Sequence, residues 1–187
     1  MGRGADQRVC PFRRLCVERR GSTLETRAPL LQRIEMTSGA PAHPHPRPVT
    51  VRCPFCSRLN RVDLARLASL PKCAECKRPL RFDRPVHATE TDFDETIRTA
   101  GVPVLVAFYA DWCGPCKVMA PILDDLAHQR AGEVLVLKVD TDRNPKLAER
   151  HGIRGIPTLI AFRGGRESGR VSGVTQRSAL DSLAGFV

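Results

Sequence analysis

The sequence predicts an α/β protein in which a sheet flanked by helices follows a small four-cysteine module. Three observations carry this reading. From about residue 86 to residue 187, short apolar runs alternate with segments of helical period. Cys53-Pro54-Phe55-Cys56 and Cys73-Ala74-Glu75-Cys76 form two C-x2-C pairs with sixteen residues between them. A third pair, Cys113 and Cys116 of Trp112-Cys113-Gly114-Pro115-Cys116-Lys117, stands where an apolar run meets a helical one.

In chain order, residues 1–35 hold many scattered arginines and no sustained period, so they are expected to be disordered. Their Cys10 and Cys16 match no usual metal knuckle, and scarce Ser argues against a mitochondrial transit segment. Met36 reads as an alternative translation start. The proline-rich stretch that ends this 1–48 extension, with His43 and His45, is an extended linker, because each Pro biases its predecessor away from helix. Residues 51–82 form the compact four-cysteine unit. A short strand over 86–88, a helix over 92–99 capped by Thr91, and a buried strand over 102–110 follow. The next helix, 115–129, presents Val118, Met119, Ile122, Leu123 and Leu126 on one face and is expected to kink at Pro121. A strand over 134–139, a helix over 145–150, strands over 158–162 and 166–171, and a helix over 178–186 complete a βαβαβαββα order. Gly164-Gly165 supplies the hairpin turn between the last two strands.

The net charge of +10 is confined to the first 85 residues. Residues 51–85 hold nine basic and three acidic side chains, whereas residues 86–187 hold twelve and thirteen. The long C-terminal part therefore has no polyanion-binding stripe. The basic module has only Phe55 and Phe82 as aromatics, too few for base stacking, so nucleic acid is not an expected partner. No apolar run approaches the roughly 18 residues that span a bilayer, and no secretory stretch opens the chain. A cytoplasmic location is expected, where cysteines more often bind metal or do redox chemistry than form structural bridges.

The two C-x2-C pairs have the spacing of a tetrahedral zinc site, Cys53, Cys56, Cys73 and Cys76. Four thiolates leave zinc no open position, which makes the site structural. A module of about 30 residues buries too little apolar surface to fold alone, so metal binding is also folding energy. Oxidation of these thiolates is expected to release the metal. Cys113 stands at a helix start, where unpaired N–H groups and the dipole favour thiolate, so it reads as the nucleophile. Cys116, one turn inward, reads as the shielded resolving thiol. Gly114 keeps the turn tight, and Pro115 is tolerated where an N–H has no helical partner.

Residues 86–187 resemble the thioredoxin family throughout, and the preceding four-cysteine unit makes the chain similar to its bacterial zinc-ribbon branch, the thioredoxin 2 type. The matching residues are Ala110-Asp111-Trp112-Cys113-Gly114-Pro115-Cys116-Lys117, Pro121, Lys138-Val139-Asp140, Gly155-Ile156-Pro157-Thr158 and Phe162-Arg163-Gly164-Gly165. The resemblance implies a thioredoxin fold, with a central mixed sheet, and a protein-disulfide reductase working through a redox-active Cys113–Cys116 disulfide. It implies disulfide-containing protein substrates, recharging by an NADPH-dependent thioredoxin reductase, and a monomer. It also implies that Pro157 is cis and faces the disulfide, that Ile156 pairs its backbone with substrate, and that Trp112 and Gly173 border the groove. A rival reading is a zinc-dependent protein- or nucleic-acid-binding module whose thioredoxin fold only docks partners.

One position departs from the family. Most thioredoxins read Val-Asp-Phe-Trp-Ala before the active site, with a buried Asp that helps deprotonate the second cysteine. This chain reads Val106-Ala107-Phe108-Tyr109-Ala110. Lys138, which in the family lies near that Asp, loses its carboxylate partner. General-base help is worth about 10²- to 10⁴-fold elsewhere, so slower resolution by Cys116 is expected, with water or neutral Lys138 taking the proton.

Overall fold

The computed structural model describes residues 45–186, so the expectations for residues 1–35, Met36, His43, Cys10 and Cys16 fall outside the described part. Two strands, β1 (Pro48–Arg52) and β2 (Leu59–Asp63), pair antiparallel with Val51 opposite Asn60. Pro48 ends the linker by becoming the first residue of a strand, a position that tolerates proline. A 3-10 turn over Leu64–Ser69 follows, and the Asp63 carboxylate caps it by accepting the Ala65 N–H.

The second sheet has the order β3-β5-β4-β6-β7, built from β3 (Val86–His87), β4 (Val104–Tyr109), β5 (Leu135–Asp140), β6 (Thr158–Arg163) and β7 (Arg166–Ser172). Strands β3 and β4 lie parallel to β5, while β6 is antiparallel to β4 and β7 to β6. The sheet is therefore mixed, as expected. Helices α1 (Phe93–Thr99), α2 (Gly114–Gln129), α3 (Pro145–Arg150) and α4 (Arg177–Ala184) complete the unit. Gly164 and Gly165 form the β6–β7 turn at φ of 55° and 80°, a left-handed pair that glycine adopts without a Cβ clash.

The period of two along each strand sorts the core into two faces. Val106, Phe108, Leu137 and Ile160 pack with Phe93 and Ile97 of α1 and Leu147 of α3. The same cluster takes in Val49, Val51, Val62 and Leu64 from the first hairpin, with Leu80 and Phe82 after it. The four-cysteine module thus shares its core with the sheet. Polar contacts tie the same joint: Arg52 Nε donates to Asp92 at 2.9 Å, Thr50 N–H donates to Thr99 Oγ1 at 2.9 Å, and Gly101 N–H donates to Pro48 O at 2.7 Å. A Cβ on Gly101 would sit 2.9 Å from Pro48 Cδ, so this approach requires glycine. The opposite sheet face, Leu105, Ala107, Val136 and Leu159, packs on Met119, Leu123 and Leu126 of α2 and Leu180 of α4.

Two local expectations need correction. The residue before α1 is Asp92 rather than Thr91, and neither caps the helix through its side chain. The Thr91 hydroxyl accepts from Arg52, and the buried Asp92 carboxylate accepts from Arg52 and the Thr89 N–H. In α2, Val118 is 57% exposed; the buried stripe is Cys116, Met119, Leu123, Leu126 and Ala127. A helix advances about 100° per residue, so a stripe centred on 119, 123 and 126 rotates 118 out of the core. The helix runs on through Pro121 to Gln129.

His151 follows α3 and packs among aromatics, with ring centroids 5.1 Å from Phe93, 5.9 Å from Phe108 and 5.6 Å from Phe162. Its Nε2 is buried without a partner. Burial, aided by Arg150, holds its imidazole below the usual value. A lowered folded-state value means the unfolded chain binds more protons, so this stability is present above the ordinary imidazole value, about 6.5, and is lost as pH falls through the folded value. His151→Phe should therefore flatten the fall in melting temperature between pH 7.5 and 5. An unchanged pH slope would count against it.

Candidate active site and metal centre

The module folds two matching knuckles toward one point. Cys53 N–H donates to Arg58 O and Ser57 N–H to Cys53 O; Cys73 N–H donates to Arg78 O and Lys77 N–H to Cys73 O. Ser57 and Lys77 turn each knuckle at φ of 60° and 61°. The Sγ pairs Cys53–Cys76 and Cys56–Cys73 are each 3.6 Å apart, and all four sulfurs lie within 4.8 Å of one another. Tetrahedral zinc with bonds of about 2.3 Å places its sulfurs about 3.8 Å apart, so these residues fit that ion. The chain holds a structural zinc site on these four cysteines.

Asn60 supports the site from β2. Its side-chain oxygen accepts the Ala74 N–H at 2.9 Å, and its Nδ2 lies 3.5 Å from Cys73 Sγ. Burial resists ionisation of Cys73, but the Cys76 and Glu75 N–H groups, Cys56 and Asn60 outweigh it and bring the thiol down to about 6. At Cys56 the Arg58 N–H pulls downward, yet burial and the three other sulfurs win and push it up to about 11. A metal-free cluster thus ionises one thiol readily and resists the next, which is the cost that a divalent cation removes. Nothing in the sequence pattern marked Asn60.

Cys113 and Cys116 are joined as a disulfide at the start of α2. Cys113 is the N-cap, and its Sγ accepts the Cys116 N–H at 3.2 Å. Pro115 occupies the first turn, and Gly114 has open space on its Cβ side. The Ile156–Pro157 bond is cis, and Ile156 O lies 3.8 Å from Cys113 Sγ. Gly173, at φ of 86°, donates its N–H to Pro157 O at 2.8 Å. Trp112 donates its indole N–H to Asp142 at 2.8 Å and leaves its ring 70% exposed. Ile156 thus lies against Cys113, and Gly173 reaches the pair only through its hydrogen bond to Pro157.

Both cysteines of the pair are buried. Cys113 is 3% exposed and Cys116 7%, so the disulfide as a whole is shielded. Ala110, Tyr109 and Ile156 pack with the pair, and a cavity of about 120 Å³ opens behind Cys116. Ala107, Met119, Lys138, Pro157 and Leu159 line it. In register, Ala107 stands opposite Lys138 on one side and Leu159 on the other, so its short side chain leaves this space.

A sequence model of the family described as Thioredoxin matches residues 84–184, and one described as Thioredoxin 2, N-terminal matches residues 52–78. Thioredoxin 1 of Nostoc sp. (strain PCC 7120 / SAG 25.82 / UTEX 2576) is 45% identical over 92 residues, covering 49% of this chain and 86% of its own. Thioredoxin of Allochromatium vinosum is 45% identical over 101 residues, 54% of this chain and 94% of its own. Among solved structures, a mutant thioredoxin from Halobacterium salinarum NRC-1 superposes with a TM-score of 0.52 at 35% identity, over 58% of this chain and 97% of that one.

Proposed function

Because the chain belongs to the thioredoxin family and is a protein-disulfide reductase with a structural zinc site, we propose that Cys113 opens substrate disulfides and Cys116 resolves the mixed disulfide. The observation that carries this assignment is the Cys113 Sγ at the N-cap of α2, accepting the Cys116 N–H. An N–H aimed at sulfur, at the positive end of a 16-residue helix, stabilises thiolate over thiol. Cys113 attacks one substrate sulfur and releases the other as a thiol. Cys116 then attacks Cys113 Sγ, forming the intramolecular disulfide and releasing the second thiol. Ile156 offers backbone to an extended substrate beside cis Pro157, with Trp112 and Gly173 at the groove's borders. The module over 51–82 serves as a zinc-stiffened part of the 86–187 unit rather than a second active centre.

The partners that fit are disulfide-bearing proteins and an NADPH-dependent thioredoxin reductase, acting on a monomer in the cytoplasm. No helix among the described residues is long and apolar enough to cross a membrane. Insulin precipitation driven by NADPH and a thioredoxin reductase tests the activity; no turnover above a thiol-free control would refute it.

Ala107 sets the speed of the second step. With no carboxylate at 107, deprotonation of Cys116 falls to water or to Lys138. Ala107→Asp should accelerate single-turnover resolution by at least about tenfold, the low end of what a positioned base supplies being larger still. Identical rate–pH profiles for the two proteins would overturn the role given to residue 107.

A further inference from the structure

Two acceptors remain for the Cys116 proton, and the surroundings of Lys138 decide between them. Lys138 lies in the middle of a cross-sheet row, with His87 of β3 on one side and Ala107 of β4 on the other. It lines the cavity behind Cys116. Its Nζ sits 4.4 Å from the centroid of the Tyr109 ring. An aromatic face attracts a cation, so the Tyr109 ring holds the Lys138 ammonium in place at the cavity.

The Tyr109 ring is held from its far end. Its hydroxyl lies 3.5 Å from His87 Nδ1, a long hydrogen bond, and the two rings tilt at 59° with centroids 6.2 Å apart. Burial, then the Lys138 and Arg143 cations, keep His87 below the usual imidazole value. At neutral pH it therefore brackets Tyr109 without adding a second cation beside Lys138. Asp111 and Lys117 also reach the cavity, but both are exposed and carry opposite charges.

We propose that Tyr109 and His87 are positioning residues that hold Lys138 as an ammonium beside Cys116, so that Lys138 promotes resolution as a charge and water carries the proton away. The Cys116 thiol gives its proton to water in the cavity, and the Lys138 cation stabilises the thiolate left behind. The thiolate attacks Cys113 Sγ; the Cys113–Cys116 bond forms, the bond to substrate sulfur breaks, and the departing thiolate is protonated by solvent. This rests on the assignment of Cys116 as the resolving thiol.

The test follows a fluorescent peptide disulfide through one turnover, reading formation of the mixed disulfide on Cys113 separately from its resolution, together with Cys116 alkylation at pH 7. Lys138→Met should slow resolution and alkylation roughly tenfold or more, as expected when a neighbouring cation is withdrawn from an ionising group. Lys138→Arg keeps a charge that does not deprotonate, and should stay within about threefold of the parent. Tyr109→Leu should slow resolution in the same direction, Tyr109→Phe should do so less because it keeps the ring and loses only the His87 contact, and Tyr109→Leu added to Lys138→Met should add nothing further. Lys138→Arg as slow as Lys138→Met would make Lys138 the base and overturn the proposal. So would a Tyr109→Leu effect that is absent, or that persists in full without Lys138. If the unaltered protein forms no mixed disulfide on Cys113, the underlying assignment fails instead.

Discussion

Replacing Cys113 by Ser should abolish insulin reduction to the level of a thiol-free control while leaving the fold intact. The two halves of this expectation have separate causes. Serine has no accessible anion at neutral pH, so no mixed disulfide forms and nothing remains for Cys116 to resolve. Serine is nevertheless a preferred N-cap, so its hydroxyl oxygen can take over the Cys116 N–H that Cys113 Sγ accepts at 3.2 Å. Melting should therefore move by no more than about 1 kcal/mol, the usual scale of a cap. Cys116→Ser should behave oppositely, forming the mixed disulfide once and trapping it. A docking platform would keep its partners in both variants, and measurable turnover in Cys113→Ser would end the assignment of the nucleophile.

Stripping the zinc, or Cys73→Ala, should destabilise the whole described unit and not the ribbon alone. Structural zinc supplies about 10–16 kcal/mol in small zinc-folded peptides, so the knuckles do not survive its loss. Here Val49, Val51, Val62, Leu80 and Phe82 belong to the same cluster as Phe93, Phe108 and Ile160. When the knuckles open, that sheet face loses part of its cover, and the 2%-exposed Asp92 risks losing its Arg52 partner. A loss of even about 3 kcal/mol shifts the midpoint by roughly 10 °C in a protein of this size. The measurement is calorimetry before and after chelation, with a zinc dye reporting release. Complete release with an unmoved main transition would show the ribbon to be an independent bead.

Much of this was legible in the sequence because it is written locally. The strand and helix order follows from apolar period, the metal site from two C-x2-C spacings, and the redox pair from cysteines at a strand-to-helix junction. What escaped depends on residues far apart in the chain. Arg52 engages both Thr91 and Asp92 across about forty positions, which is why the cap expected at Thr91 is not one. Val118 fits a helical stripe on paper, but only the packing of α2 on β4 and β5 says which way the stripe faces. The cavity beside Cys116 escaped as well, because its walls come from three strands and a helix. His87, Tyr109 and Asn60 carry no motif; only the register between strands brings them to their sites.

The shared core also orders events as the chain is made. The sulfur pairs of the ribbon are separated by 17 and 23 residues, so metal capture needs only a short stretch of nascent chain. The sheet beneath it waits far longer, because β3 finds its neighbour in β5, and β4 acquires its second partner when Thr158–Arg163 has emerged. Domains form from the N-terminal end during synthesis, and distant pairings close slowly. A zinc-loaded ribbon therefore waits with Val49, Val51 and Val62 uncovered until their partners in the sheet have emerged, which exposes apolar surface to aggregation while residues 93–163 are being translated.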